Sequence, residues 1–352
     1  MKASGTAWIP SGTMSCLSRC GLRELLGLLD RGMRILITGG FGFIGGRLGQ
    51  SLQRQGHDVI LGTRQGECNP PVWLPNARVV NTPWSDAGGL KDICAGIDIV
   101  VHAAGMNAGA CAADPAGAID FNAVATARLV QAAVAAGVHR LIYLSTVHVY
   151  GSPLEGCITE DTCPRNLHPY ASSHLAGEVA VLWAAQNSAL ESVVLRLSNA
   201  FGVPLHDRVD CWMLLVNDLC RQLATTGQMV LKSNGTQQRD FIALGKVCSI
   251  VGELMHCDLE VLPHRVVNVG SGVSMSVMEM AQLIQSRYEK MYGQTPQISR
   301  CDTEWTAGDS LEYHSNILDS LGIQSAGNGF EEIDALLGYC MRRFGGGDAS
   351  RS

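Results

Sequence analysis

A glycine-rich turn between an apolar strand and an amphipathic helix constrains this chain more than any other feature. From Met33 to Gly46 the segment reads Met-Arg-Ile-Leu-Ile-Thr-Gly-Gly-Phe-Gly-Phe-Ile-Gly-Gly. Residues 35–37 predict a buried strand, and Ile44, Leu48 and Leu52 recur every four residues, as on one face of a helix. This order of elements is typical of the first unit of a dinucleotide-binding α/β sheet.

Two registers of the glycine motif fit the turn. Gly40, Gly42 and Gly45 give G-x-G-x-x-G, whereas Gly39 with the same last two glycines gives a wider spacing. In both registers one glycine makes the turn, one admits a pyrophosphate and one lets the helix pack on the strand. The free N–H groups of the helix then face the phosphate. The predicted cofactor contacts in this segment are Gly39, Gly42, Phe43, Ile44 and Gly45.

Strands and helices alternate along the chain after Met33, which predicts an α/β fold with a doubly wound, Rossmann-like parallel sheet. Ligands of such sheets lie at the carboxyl ends of the strands, so the site is expected there. The predicted strands are 34–37, 58–61, 77–80, 98–102, 139–145, 192–197 and a last one near 265–268.

Composition excludes several classes of function. The chain has 352 residues and a net charge of −6, which argues against a nucleic-acid partner. No uninterrupted apolar stretch reaches membrane-spanning length. The 13 cysteines are scattered without a C-x-x-C pair, so we expect neither a metal site nor a disulfide framework. Reduced thiols of this kind indicate a cytoplasmic protein.

Residues 1–32 differ from the rest, being rich in Ser, Gly and Cys. Three interpretations compete: a disordered tail, a targeting peptide, or an upstream extension if the natural start is Met33. We favour a tail that is not part of the fold.

The end of the second strand bears on the choice of cofactor. A carboxylate there would bind the adenosine ribose of NAD, but the sequence has Arg64, which is suited to a 2′-phosphate. We therefore expect NAD or NADP, with a lean towards NADP. The alternative is that Arg64 is a solvated loop charge.

Polar and small residues follow the fourth and fifth predicted strands. His102, Ala103 and Ala104 end the fourth strand, where small residues let a cofactor lie against the backbone. Hydroxyls end the fifth strand, and Tyr170 and His174 then share one face of a later helix, being four residues apart.

Together these segments resemble the extended short-chain dehydrogenase/reductases, the group of nucleotide-sugar epimerases, dehydratases and reductases. The resemblance runs from Met33 to about Tyr339. It rests on Thr38-Gly-Gly-Phe-Gly-Phe-Ile-Gly45, Val101-His-Ala-Ala104, Ser145-Thr-x-x-Val-Tyr-Gly151, the Tyr170 helix, Arg196-Leu-Ser-Asn199-Ala-Phe-Gly202, Gln238-Arg239-Asp240-Phe241-Ile242 and Asn268-Val-Gly270-Ser-Gly272.

The resemblance implies roles for several residues. Thr146 matches the hydroxyl that binds the sugar oxygen, and Tyr170 matches the general acid/base. The family has Lys where this chain has His174, so we hypothesise that His174 positions the cofactor and partly supplies charge. His102, Ala103, Ala104 and Asn122 are expected beside the cofactor. Asn199 and Arg239 are expected to bind the substrate diphosphate, the alternative being an Arg239–Asp240 ion pair.

Two departures from the family pattern narrow the reaction. The dehydratases carry Asp-Glu where this chain has Val147 and His148, so dehydration is not expected, and we interpret His148 as a wall residue. Pro83-Trp84 stands where the family often has an Asp near the adenine.

The resemblance also implies a division of the chain. Residues 33–198, with 239–271 returning to them, would form the cofactor-binding domain. Residues 199–238 and 272–345 would form a smaller C-terminal substrate lobe. Trp212, Met213 and Leu214 would line a pocket of this lobe or fill its core, and we favour the core.

We therefore predict an NAD(P)-dependent nucleotide-sugar epimerase that acts through a transient keto sugar. The first alternative is an NADPH-dependent 4-keto-sugar nucleotide reductase. An alternative of another class is a non-catalytic protein that binds the cofactor or a sugar nucleotide. By analogy with the family, a homodimer would form through the helices at 122–136 and 172–186.

Overall fold

The computed structural model describes residues 32–64, 69–301, 310–324 and 329–345, so residues 1–31 of the predicted tail lie outside the described residues. The strands within these ranges are β1 (Arg34–Thr38), β2 (Asp58–Thr63), β3 (Arg78–Asn81), β4 (Ile99–His102), β5 (Arg140–Thr146), β6 (Gly156–Ile158), β7 (Glu191–Leu197), β8 (Asn199–Phe201), β9 (Gln228–Leu231), β10 (Gln238–Ala243), β11 (Val266–Val269), β12 (Ser274–Ser276), β13 (Gln297–Arg300) and β14 (Leu311–Tyr313).

A π-helical segment, Ile119–Ala125, leads into one of the α-helices. Over the ranges that the structure describes, no helix is both long and apolar enough to cross a membrane. The α-helices are α1 (Phe43–Arg54), α2 (Ala87–Cys94), α3 (Ala108–Ala113), α4 (Pro115–Ala118), α5 (Thr126–Ala136), α6 (Pro169–Asn187), α7 (Leu215–Thr226), α8 (Leu244–Leu254), α9 (Val277–Tyr292), α10 (Asn316–Ser320) and α11 (Phe330–Phe344).

Seven parallel strands form the main sheet in the order β3-β2-β1-β4-β5-β7-β11. The chain starts at β1 in the middle, builds towards β3, and then crosses back to β4 on the other side of β1. This is the order of a doubly wound, Rossmann-like sheet, so the predicted fold class is confirmed. All seven predicted strands form, each within two residues of its expected bounds.

Apolar residues on both faces of the main sheet hold the layers together, as a parallel sheet covered by helices requires. Because side chains alternate along a strand, Ile35 and Ile37 pack into one cluster and Leu36 packs into the other. Leu48 and Leu52 of α1 join the first cluster, which confirms the helix face predicted from their spacing.

The later part of the chain adds smaller sheets and a separate apolar cluster. Strands β12, β10 and β8 form one sheet, and β13 pairs with β9 in another. Helices α7, α9 and α11 pack against one another around buried residues such as Leu219, Ile284 and Leu336. This layer lies beside the carboxyl ends of the main sheet, where loops from both parts of the chain meet.

Candidate active site

The glycine-rich turn joins β1 to α1 at the point where the strand order reverses. Gly39 has a left-handed φ of +67°, and a Cβ there would lie 2.8 Å from the backbone N of Ala104 at the end of β4. A Cβ on Gly45 would lie 2.3 Å from the carbonyl oxygen of Gly39. Both positions therefore need glycine. Gly42 is the N-cap of α1 and has no side chain to occupy the N–H groups of the first turn, which can bind a phosphate.

A cleft runs over these strand ends and consists of two cavities of about 340 Å³ each. Gly42, Phe43 and Ala103 line both cavities, so the two are continuous. The first extends to Arg64 after β2, and the second extends to Tyr170 at the start of α6. An elongated cleft with the glycine turn in its middle fits a dinucleotide.

The predicted site residues divide between the lining of this cleft and the structure behind it. The first cavity is lined by Gly39, Gly42, Phe43, Arg64, Ala103 and Ala104. The second is lined by Gly42, Phe43, Ile44, Ala103, Thr146, Tyr170, His174 and Asn199. The predicted residues that lie outside both linings are Gly45, His102, Asn122 and Arg239.

His102 is buried behind the wall, and its hydrogen bonds fix its tautomer. The Thr126 hydroxyl donates to the carbonyl oxygen of Asn122 at 2.7 Å, so it accepts from Nε2–H of His102 at 2.9 Å. Nδ1 of His102 then accepts from the Thr38 hydroxyl at 2.6 Å. Burial, with a smaller repulsion from His174, lowers the pKa of His102 to about 3, so the ring is neutral.

Asn122 is likewise a support of the wall. Its Oδ1 accepts from the backbone N of Met106 at 2.8 Å, and its Nδ2 donates to the Ser173 hydroxyl at 3.0 Å. Asn122 thereby ties the segment after β4 to α6. The expectation that His102 and Asn122 contact the cofactor directly does not match these positions, because both side chains form their hydrogen bonds with other protein groups.

Tyr170 and Thr146 meet in the second cavity. Burial raises the pKa of Tyr170 above its usual value, and a hydrogen bond with the Thr146 hydroxyl offsets part of that rise. The His174 ring packs edge-on against the Tyr170 ring, with 4.7 Å between the centroids. At neutral pH the phenol of Tyr170 is therefore protonated.

His174 is neutral as well, because burial lowers its pKa to about 4. Its Nδ1 lies 2.9 Å from the hydroxyl of Tyr143 on β5. Burial therefore disfavours the charge that we expected His174 to supply in part, since a buried imidazole holds its proton less tightly. Its position beside Tyr170 agrees with a role in positioning.

His148 lines the second cavity, as a wall residue would, with its ring centroid 6.5 Å from that of Tyr170. Burial, with smaller repulsions from Arg239 and His168, lowers the pKa of His148 to about 4.

The alternative of an Arg239–Asp240 ion pair does not hold in the described chain. Asp240 instead accepts from the backbone N and hydroxyl of Ser271 at 2.9–3.0 Å, on the opposite face of β10.

The loop before α7 forms part of the cleft, and sequence reasoning missed its residues 208–210 and favoured the core over a pocket for the residues after them. Residues 208–210 line the first cavity, and Met213 and Leu214 line the second. The expected core position holds for Trp212, whose ring packs edge-on against Phe344 at 5.0 Å. Met213 is 56% exposed and is no core residue. Residues 208–210 carry no motif that could have signalled their role.

Two further features lie outside the cleft. A surface cavity of about 590 Å³ lies between α1 and α11, and two of its charged residues, Arg47 and Glu332, bind each other at 2.7 and 3.0 Å. On the strand pair β6–β14, the exposed Cys157, Glu312 and His314 bring potential metal ligands within 4.8 Å of one another. Neither feature borders Tyr170.

Comparisons with known proteins agree with this geometry. Residues 35–270 match the model of the NAD dependent epimerase/dehydratase family. The chain is 32% identical to dTDP-6-deoxy-L-talose 4-dehydrogenase (NAD(P)(+)) of Kitasatospora kifunensis, over 71% of this chain and 78% of that protein. It is 27% identical to UDP-glucose 4-epimerase of Neisseria meningitidis serogroup B, over 72% and 82%.

Among solved structures, the NAD dependent NDP-hexosamine 5,6-dehydratase TunA is 25% identical to this chain. Its alignment has a TM-score of 0.70 and covers 88% of this chain and 98% of TunA. The relatives thus include a dehydrogenase, an epimerase and a dehydratase, so similarity alone does not select the reaction. The family model covers well over half of the chain, and the chain therefore belongs to the NAD-dependent epimerase/dehydratase family.

Proposed function

We propose that this protein reduces the keto group of a 4-keto-sugar nucleotide, with Tyr170 as the proton donor. Bound in the cleft, NAD(P)H supplies the hydride that reaches the keto carbon. Thr146 and Tyr170 bind the keto oxygen, and the phenol passes its proton to that oxygen as the hydroxyl forms. The 4-dehydrogenase relative supports this reading, because its reaction in reverse reduces a 4-keto sugar.

The observation that carries the proposal is the neutral His174 that packs against Tyr170, at the position where the family pattern has Lys. A phenol has an unperturbed pKa of about 10, and that of Tyr170 is raised further by burial. His174 is uncharged at neutral pH and does not lower it. A protonated phenol suits the donation of a proton during reduction, whereas oxidation of a sugar hydroxyl needs the phenolate.

The test is to mix the full chain with NADPH or NADH and a panel of 4-keto-6-deoxy-sugar nucleotides. We expect oxidation of the cofactor and a new sugar hydroxyl by NMR. The rate of reduction should change little between about pH 6 and 9, while oxidation should rise about tenfold per pH unit. Saturable cofactor binding without turnover of any sugar would support the non-catalytic alternative instead.

An epimerase is the second candidate, supported by relatives such as the Neisseria UDP-glucose 4-epimerase. An epimerase must first oxidise the sugar, and it keeps its cofactor bound while doing so. Mass spectrometry of the purified protein separates the two. Nucleotide that survives dialysis, together with interconversion of UDP-sugars at neutral pH, would favour the epimerase over the reductase.

Other parts of the proposal concern the rest of the chain. We propose that residues 199–238 and 272–345 bind the nucleotide sugar, with Asn199 and Arg239 near its diphosphate. The positive charge of Arg239 lowers the pKa of His148, which lines the second cavity, so the guanidinium lies close to that cavity. The exposed Val179 and Trp183 on α6, at 62% and 66%, suit the predicted pairing of two copies.

Arg64 is expected to set the preference for NADP. Its guanidinium lies over the Phe121 ring at 5.1 Å and borders the first cavity. Arg64→Ala should weaken NADPH binding by about tenfold or more while NADH binding changes little, because only NADPH has the 2′-phosphate. Calorimetric titration of both nucleotides measures this. Arg78→Ala, at an exposed position on β3, is the control, and equal losses for both nucleotides would contradict the assignment.

A further inference from the structure

The His174 ring faces the cleft with one nitrogen and the protein interior with the other. Nδ1 lies 2.9 Å from the hydroxyl of Tyr143, a buried residue of β5 that faces α6. The opposite edge of the ring faces Gly105, which lines both cavities of the cleft. The Cβ position of Gly105 is 3.3 Å from Cε1 and 3.5 Å from Nε2 of His174. The nitrogen that a ligand can reach is therefore Nε2.

A neutral imidazole has one N–H and one acceptor nitrogen. The hydrogen bond at Nδ1 inside the protein therefore decides whether Nε2 donates or accepts in the cleft. Burial lowers the pKa of His174 to about 4 and raises that of Tyr143 well above its usual value, so both groups are neutral. The hydroxyl of Thr126, which also lies near Tyr143, gives its own proton to the carbonyl of Asn122. The Thr126 oxygen can therefore only accept from Tyr143, and it already accepts from Nε2–H of His102, which leaves Nδ1 of His174, at 2.9 Å, as the acceptor for the Tyr143 proton.

Packing holds Tyr143 in the place that this hydrogen bond needs. The ring is 1% exposed and stacks between those of His102 and His174, with centroid distances of 5.3 and 6.1 Å. Helix α6 approaches so closely that a Cβ on Gly177 would lie 2.7 Å from the Tyr143 hydroxyl. The hydroxyl therefore has little freedom to turn away from His174.

We propose that Tyr143 is a positioning residue, whose buried hydroxyl donates to Nδ1 of His174 and so fixes the tautomer that presents Nε2–H to the cleft. His174 then acts as a neutral donor to a hydroxyl of the bound nicotinamide cofactor. This inference rests on the proposed function, because it takes the cleft to bind NAD(P)H. Tyr143 itself touches neither cofactor nor substrate.

The first measurement needs no substitution. Nitrogen-15 NMR of the full chain, labelled at histidine, reports which nitrogen of a neutral imidazole is protonated, and His174→Gln assigns the signal. We expect His174 to be protonated at Nε2 without any cofactor. A His174 protonated at Nδ1 would overturn the proposal, whether or not the chain binds a nucleotide.

The second measurement uses Tyr143→Phe, which keeps the ring and removes the hydroxyl. The variant should show a mixture of His174 tautomers and bind NADPH or NADH about three- to tenfold more weakly, the cost of a hydrogen bond. Combining it with His174→Gln should weaken binding no further than His174→Gln alone. Unchanged tautomer and affinity in Tyr143→Phe would contradict the role.

Tyr313→Phe is the matched control. Tyr313 is also buried, and its hydroxyl donates to the carbonyl oxygen of Arg196 at 2.7 Å, away from His174. It should leave the His174 tautomer and the nucleotide affinity unchanged. If the native chain binds neither NADPH nor NADH, the proposed function fails. Even then, the tautomer of His174 in the cofactor-free native chain and in Tyr143→Phe shows whether Tyr143 fixes that tautomer. If Tyr143→Phe does not fold, the native tautomer decides it alone.

Discussion

Tyr170→Phe is expected to lower the turnover of keto-sugar reduction by about 10²- to 10⁴-fold. The phenol is the group that passes a proton to the forming hydroxyl. Thr146, its partner in the cavity, has no comparable acidity and cannot replace it. The ring itself remains in the variant, so its packing against His174 at 4.7 Å should persist. Folding and cofactor affinity should therefore stay close to those of the native chain.

Steady-state kinetics with a saturating keto sugar measures this loss, and circular dichroism with thermal unfolding checks the fold. Tyr292→Phe is the control, because Tyr292 ends α9, packs against Tyr288 with 4.7 Å between the ring centroids and lines neither cavity of the cleft. The control should keep full turnover. If Tyr170→Phe retains more than about a tenth of native turnover, Tyr170 is not the proton donor.

Glu178→Ala is expected to lower the free energy of unfolding by about 3–5 kcal/mol. Glu178 is 1% exposed and binds Arg196 through Nη2 at 2.6 Å and Nε at 3.1 Å, and it accepts from the Ser145 hydroxyl. Burial lowers the pKa of Arg196, but the hydrogen bonds and charge of Glu178 raise it above its usual value. Removal of Glu178 would leave a buried guanidinium without its counter-charge.

Urea unfolding measures the change, and Asp207→Ala provides the comparison. Asp207 is 74% exposed and pairs with Arg343 at 2.7 Å, so its loss should cost only about 0–1 kcal/mol. Replacing both partners, as Glu178→Leu with Arg196→Met, should recover much of the stability, because no charge remains buried. Equal losses in Glu178→Ala and Asp207→Ala would show that the buried pair contributes no more than a surface pair.

The fold was predictable because its signals are local. Ile35 to Ile37 form an apolar run, the glycines interrupt it, and Leu48 and Leu52 continue with helical spacing. Each pattern follows from the geometry of a single element. The strand order then follows from a few rules of parallel sheets. Strand ends differ from the expected bounds by a residue or two, because the last hydrogen bond of a strand depends on its neighbour.

The site was predictable only in part. Motif spacing put Thr146, Tyr170 and His174 on the right strand and helix, and the structure brings them to one cavity. The charge of His174 could not be inferred, because it depends on burial by residues distant in sequence. Residues 208–210 of the cleft-lining loop were missed because they carry no periodicity. The choice between pocket and core for Met213 depends on how two layers of the fold meet.

Helix α6 carries Tyr170, His174 and Glu178 on successive turns, about 12 Å from first to last. Glu178 is bound by Arg196 and Ser145, and these contacts fix the position of α6 along its own axis. A shift of α6 at Glu178 would also move the phenol of Tyr170, so a substitution in the interior would slow the proposed reaction. The loop at 208–214 borders the cleft without belonging to this helix, so substitutions there can change the lining while the position of Tyr170 is kept.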